Sequence, residues 1–198
     1  MRYFDGSKSD LLQDCYTLTM LHEKQNGYYV ELGSGDPEEG NNTWLLEKNY
    51  GWSGLAIDIE QGLADKYNAE RSTKCIAADA LTFDYKKYFE ENDFPKVIDY
   101  LQIDIDGHQD SLCLLALLAL PMLQYRFRVI TIEHDLSANF KLEAMRTAQR
   151  EILHSLGYKL SAQLDSEDWW VDEKELPRPI YGGQVNMQMR HPQIDQRN

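Results

Sequence analysis

Apolar residues recur along this chain in short blocks, and the spacing changes from block to block. Residues 28–32 (Tyr-Tyr-Val-Glu-Leu) form a β-branched and aromatic run that Gly33-Ser34-Gly35-Asp36-Pro37 breaks abruptly. Residues 42–50 read as a helix stopped by Gly51, and 55–59 as a second apolar run ending on carboxylates. Upstream, 10–25 carries Leu11, Leu12, Cys15, Leu18 and Leu21 near helical spacing, with Ser9 or Asp10 available as a cap. Downstream, the pattern predicts a short helix over 62–71 and a strand over 74–78. A polar, aromatic connector with helical character covers 85–92, and the strongest strand follows over 97–105.

Residues 107–120 read as a largely apolar helix ending before Pro121, and 128–132 as a strand terminating in Glu133-His134-Asp135. A long amphipathic helix spans 139–156, closed by Gly157 in the position a C-terminal cap favours. Residues 158–164 and 168–171 read as a closing hairpin, with core packing for Trp169 and Trp170 and stacking on a sugar as the alternative. The order predicts an α/β fold: a doubly wound, mostly parallel seven-stranded sheet closed by a C-terminal antiparallel hairpin. One domain over 1–176, with a helical opening at 9–26, is followed by a polar extension over 177–198 that reads as a tail or a lid.

Composition narrows the partners. The chain has 198 residues, 42% of them hydrophobic, enough for one domain with a real core. Its formal charge of -13 is spread along the sequence, a surface that repels phosphate backbones and argues against nucleic-acid partners. The run 112–123 is too short to span a membrane, which takes ~20 residues. Residues 1–14 have no apolar stretch of the signal-peptide kind, so a cytoplasmic protein is expected. Cys15, Cys75 and Cys113 sit among apolar neighbours without metal or redox spacing, and core packing in a reducing compartment accounts for them.

In doubly wound sheets, ligands bind beyond the carboxyl ends of the strands. Those ends carry Glu31 and Gly33, then Asp58 and Glu60, then Asp79, then Asp104, Asp106 and His108, and finally Glu133, His134 and Asp135. The first turn lacks the third glycine of the dinucleotide fingerprint, because Glu38 stands there. Its Asp36, Glu38 and Glu39 would also repel a pyrophosphate. S-adenosylmethionine meets neither objection, since it has no phosphate and carries a sulfonium and an ammonium. Asp58, 23 residues past Gly35, is spaced to accept ribose hydroxyls. Asp79 is placed to accept from the adenine amino group, beside Ala78, Ala80 and Leu81. The alternative for Asp58 and Asp79 taken singly is that each caps the helix that follows.

The stretch GSGDPEEGNNTWLLEKNYGWSGLAIDIE resembles the corresponding stretch of the FkbM-type methyltransferases. The likeness lies in the glycine–acidic turn, Asn42-Thr43 opening a helix, and Gly51-Trp52 before the second strand. Ser9 with Gln13-Asp14 is similar to the segment upstream of the sheet in that family. Tyr100 to His108 resembles its fourth strand and Ile132-Glu133-His134 its fifth. The likeness runs over about residues 9–172. Asp106 stands where Glu is common, and Gln109 where a carboxylate is common. The resemblance implies a Rossmann-like class I methyltransferase acting with S-adenosylmethionine, mostly on oxygen, on sugars, polysaccharide or natural products. A small-molecule or glycan acceptor is the partner it implies.

On this reading Glu31, Gly33, Ser34, Gly35, Asn42, Asp58, Ile59, Asp79, Ala80 and Asp104 bind the cofactor. His108, Asp104, Asp106 and His134 are the catalytic candidates, the histidines because they titrate near neutral pH, with His108 ranked first because the Gly107 turn can push its ring into the cleft beside the sulfonium. A divalent metal, Mg²⁺ or Mn²⁺, on Asp104, Asp106, Glu133 or His134 is the second expectation for that end of the sheet. The competing function classes are a methyltransferase-like module without turnover and a dinucleotide oxidoreductase.

Overall fold

The chain's computed structural model describes residues 1–105, 112–135 and 142–176. Seven strands form one sheet in the order β3-β2-β1-β4-β5-β7-β6. They are β1 (Tyr28–Leu32), β2 (Ser53–Asp58), β3 (Cys75–Ala77), β4 (Val97–Ile103), β5 (Arg126–Glu133), β6 (Lys159–Gln163) and β7 (Glu167–Val171). The first five run parallel, and β7 inserts antiparallel between β5 and β6. The expected doubly wound sheet with its antiparallel C-terminal hairpin is what forms.

Among the described residues six α-helices flank it: α1 (Gln13–Met20), α2 (Trp44–Tyr50), α3 (Gln61–Glu70), α4 (Tyr85–Glu91), α5 (Leu112–Ala119) and α6 (Glu143–Ser155). Helices α1 and α2 cover the face that buries Tyr29, Tyr100, Val129 and Trp169. Helix α3 packs on the same face through Ala64 and Tyr67 against Ala56 and Cys75. The opposite face buries Val30, Leu32, Leu101, Ile103, Ile130 and Trp170 under α4, α5 and α6. The alternation of buried positions along β1, β4 and β5 thus feeds two cores, as a parallel sheet covered on both sides requires.

The first helix is shorter than 10–25 because Leu12 takes a left-handed conformation (φ 64°). Just before it, Ser9 forms a parallel bridge with Gly40. The 85–92 connector is helical, with Asp84 capping it by accepting the Lys87 amide at 3.0 Å. Trp169 and Trp170 are both fully buried, one in each core, so neither is available to a sugar. All three cysteines are free and buried. Among the described residues no helix is long and apolar enough to cross a membrane.

Candidate cofactor and active site

Beyond the C-terminal ends of β1 to β4 lies a cavity of about 530 Å³. The turn after β1 forms its floor. Gly33, at φ 78°, has no room for a side chain: a Cβ would stand 1.8 Å from the backbone oxygen of Asp104. That clash is a consequence of β1 and β4 converging, with the Asp104 amide donating to Leu32 O at 3.0 Å. Gly35 differs, because at φ 56° a Cβ there would meet nothing within 4 Å and would project into the space the cavity provides. Only at these two positions does the turn itself demand glycine.

Asp58 terminates β2 and reaches back to the turn. Its Oδ2 accepts the Gly35 amide and its Oδ1 the Glu60 amide, each at 2.9 Å, so the carboxylate is held rigidly at the cavity edge. Asp79 follows β3 and accepts the Leu81 amide at 2.8 Å. It is exposed, whereas Ala80 beside it is buried. Ile59, 73% exposed, forms an apolar lip with Leu63, Ala78 and Leu81.

Glu31 lines the cavity from β1 but is buried, and burial pushes its carboxyl up to about 7 against the pull of Arg71 and the hydroxyls of Thr43 and Tyr67. Those hydroxyls donate to its Oε2 at 2.9 and 3.2 Å. Ser34 lines the cavity, yet its hydroxyl meets Cys75 Sγ at 3.3 Å. Asn42 also lines it without capping α2: its Oδ1 accepts from Ser9 Oγ at 2.6 Å, tying residues 9–13 to the loop beneath.

Arg71 escaped the sequence reading. Its guanidinium donates to Pro37 O and Asn41 Oδ1 at 2.9 Å and to Thr43 Oγ1 at 3.0 Å, and faces Glu47 at 3.2 Å. One buried cation thereby holds the whole 37–43 loop, and with it one wall of the cavity. A lone arginine at the end of a predicted helix carries no sequence signal for that role.

Gln102 escaped it too. It is 2% exposed and lines the cavity, and its Oε1 has no hydrogen-bond partner among the described residues. A polar residue between Leu101 and Ile103 in an otherwise apolar strand was the available clue.

The lining is strongly one-signed. Among the described residues it carries Asp10, Glu31, Asp36, Glu39, Asp58, Glu60, Asp79 and Asp104, and no Lys, Arg or His. Asp36 and Glu38 are paired with Lys66 and Lys8, each at 2.5 Å, so the repulsion of an anion falls mainly to the other acids. A cationic ligand with ribose-like hydroxyls fits such a cavity, and a pyrophosphate does not. Glu31, Gly33, Gly35, Asp58, Ile59, Asp79, Ala80 and Asp104 all border that space, as do Ser34 and Asn42.

The catalytic and metal expectations fare differently. His108 and Asp106 lie outside the described residues. Asp104 lines the cavity near its β4 end. Glu133 hydrogen-bonds Asp104 and Asp135, and burial together with those acids holds its carboxyl well above the usual range. His134 does not reach the cavity. Its ring is fully buried toward β7 and α6, with Nε2 3.8 Å from Asp168 Oδ1, and burial lowers its pKa beside Arg146 and Arg150. The expectation that His134 joins Asp104 fails because successive residues at the end of β5 point to opposite faces. Among the described residues no three His, Cys, Asp or Glu side chains form a group able to hold a metal ion.

Comparisons with known proteins agree with the geometry. No curated protein matches the chain. Similar solved structures include a putative rRNA-methylase from Clostridium thermocellum, 12% identical with TM-score 0.54, covering 83% of this chain and 96% of that one. The O-methyltransferase from Bacillus cereus in complex with SAH is 14% identical with TM-score 0.51, over 85% and 82%. A human methyltransferase 10 domain containing protein is 12% identical with TM-score 0.53, over 86% and 83%. At these identities the likeness is one of fold, the class I S-adenosylmethionine methyltransferase fold. The profile of the Methyltransferase FkbM domain matches residues 14–160, most of the sheet and the whole cavity floor, and the chain belongs to that S-adenosylmethionine-dependent methyltransferase family.

Proposed function

We propose that this protein transfers a methyl group to a hydroxyl oxygen of a small-molecule or glycan acceptor. When bound, S-adenosylmethionine supplies an activated methyl group for in-line displacement. The chain's own residues do the rest. Asp58 accepts from the ribose hydroxyls, Asp79 from the adenine amino group, and Ile59, Leu63 and Leu81 offer apolar contact to the ring. Holding donor and acceptor in line can by itself supply several orders of magnitude in rate.

The observation that carries oxygen as the target is Asp104. It lines the cavity at the β4 end beside Glu133, whose carboxyl is held well above the usual range by burial and the neighbouring acids. A carboxylate there hydrogen-bonds an acceptor hydroxyl, orients it, and takes up its proton as the new bond forms. The acidic surface supports an uncharged or cationic acceptor over a phosphate-bearing one.

Incubation with isotopically labelled S-adenosylmethionine and a panel of sugars, glycans and phenols, with amines alongside, tests the proposal by mass spectrometry. Methyl ethers are expected, with Asp104→Asn slowing turnover at least tenfold. Methylamine products, or an unaffected Asp104→Asn, overturn oxygen as the target. Cofactor binding with no product on any acceptor favours a module without turnover.

A further inference from the structure

We infer that the outer face of α5 is an interface through which two copies of this chain pair as a two-fold dimer, whatever the methyl acceptor. Residues 112–123 contain no charged side chain, although 27% of the chain is charged. A helix that is apolar on every side belongs in a core. Here one side is in the core: Cys113, Ala116, Leu117 and Leu120 are buried against the sheet. The other side is not, because Leu115 is 46% and Leu118 59% exposed. These two stand three residues apart, on one face of the helix. Leu123, in the turn that follows, is 88% exposed. An apolar surface of this kind marks an interaction site.

Charge and symmetry select the partner. The chain carries a formal charge of -13, so two copies repel each other wherever their acids meet. They approach closely only through a face without charge, which 112–123 supplies. A lipid surface with anionic headgroups meets the same repulsion from the rest of the molecule. Among the described residues the other large exposed apolar side chains are Met1, Tyr3, Leu11, Tyr28 and Ile59, and Ile59 belongs to the lip of the cavity. None of them forms a second run of leucines, so the patch on α5 finds its match in its own copy. A contact of a surface with itself closes at two subunits and leaves nothing to propagate.

The area agrees with a dimer of modest affinity. An interface that holds in solution needs about 1,000 Å² in all, a little over half of it apolar. Three leucines exposing on the order of 100 Å² each give two copies about 600 Å² of apolar area. Leu112, the first residue of α5, lines the cavity, so the helix that would meet the partner also borders the site.

Sedimentation velocity of the full chain over about 1–200 µM tests this. Wild type is expected to reach twice the 23.0 kDa chain mass at the upper end, with pairing tightened by added salt as the acids are screened. Leu118→Lys puts a charge on an exposed position, and is expected to stay at 23.0 kDa throughout with the wild-type circular dichroism melt. Leu118→Ala, which removes apolar area without adding charge, is expected to weaken pairing at least threefold. Wild type that stays at 23.0 kDa throughout, or a dimer that both variants leave intact, overturns the interface. A dimer that salt dissolves rests on ion pairs and overturns it too. The three native cysteines are buried, so Leu118→Cys supplies a thiol for maleimide labelling. A monomer whose Cys variant resists the label has that face covered by its own chain, and this also overturns pairing.

Discussion

Asp58 accepts the backbone amide of Gly35 at 2.9 Å, joining the end of β2 to the turn after β1. The acid expected at the ribose is thus also the group that fixes the turn lining the cavity. Each oxygen keeps a lone pair for a ligand hydroxyl while its first is spent on an amide. Asp58→Ala is therefore expected to weaken S-adenosylhomocysteine by 10- to 100-fold, about 1.4–2.8 kcal/mol. Titration calorimetry measures this, and an affinity equal to wild type would remove Asp58 from the site.

The two turn glycines are expected to behave differently. Gly33→Ala drives a Cβ into the Asp104 carbonyl, so β1 and β4 must separate, and little folded protein is expected. Gly35→Ala meets no atom and carries only the left-handed strain of ~1–2 kcal/mol. It is expected to fold and to bind S-adenosylhomocysteine more weakly, because its methyl occupies cavity space. Circular dichroism melts and a binding titration on both variants separate steric from ligand-facing roles. A Gly33→Ala protein as stable as wild type would contradict the geometry.

Arg71 holds charge that has nowhere else to go. Its side chain is completely buried beside Glu47 and near Glu31. Removing one partner of a buried ion pair typically costs 3–5 kcal/mol, since the other charge stays buried. Arg71→Met is expected to lose about that much in urea denaturation, and to release the 37–43 loop it pins. A loss below ~1 kcal/mol would show the network to be solvent-relaxed.

Stability is expected to rise as pH falls from 8 toward 5. Glu31 and Glu167 are both pushed up to about 7 in the fold by burial, against 4.5 as the ordinary glutamate value. Between those values the native state binds more protons than the unfolded chain, so stability is lost as pH rises through 7. Below about 4.5 the trend reverses. Asp36, held down to about 2 chiefly by Lys66, and Glu47, held down by the Ser72 amide and Arg71 despite its burial, then favour the unfolded chain. Thermal midpoints across pH 3–9 check both limbs. Glu167→Gln flattens the upper one, and an unchanged slope would mean Glu167 titrates normally.

How much of this was legible depends on the range over which each signal acts. Strand and helix positions, the glycine turn and the acids at the strand ends follow from spacing and turn chemistry within a few residues. The chain's sequence therefore determined the doubly wound sheet, the acidic strand ends that border the cavity, and the family. Element ends moved where distant contacts intervened, as when the Ser9–Gly40 bridge and a left-handed Leu12 shortened the first helix. Only the tertiary structure decided which strand-end residues share a cavity. Neighbours on a strand point to opposite faces, so Asp104 borders the site while His134, at the end of the adjacent strand, is buried against Asp168. Arg71 and Gln102 became visible for the same reason. A buried cation and an unpartnered amide oxygen acquire meaning from what surrounds them, and those surroundings come from other strands and loops.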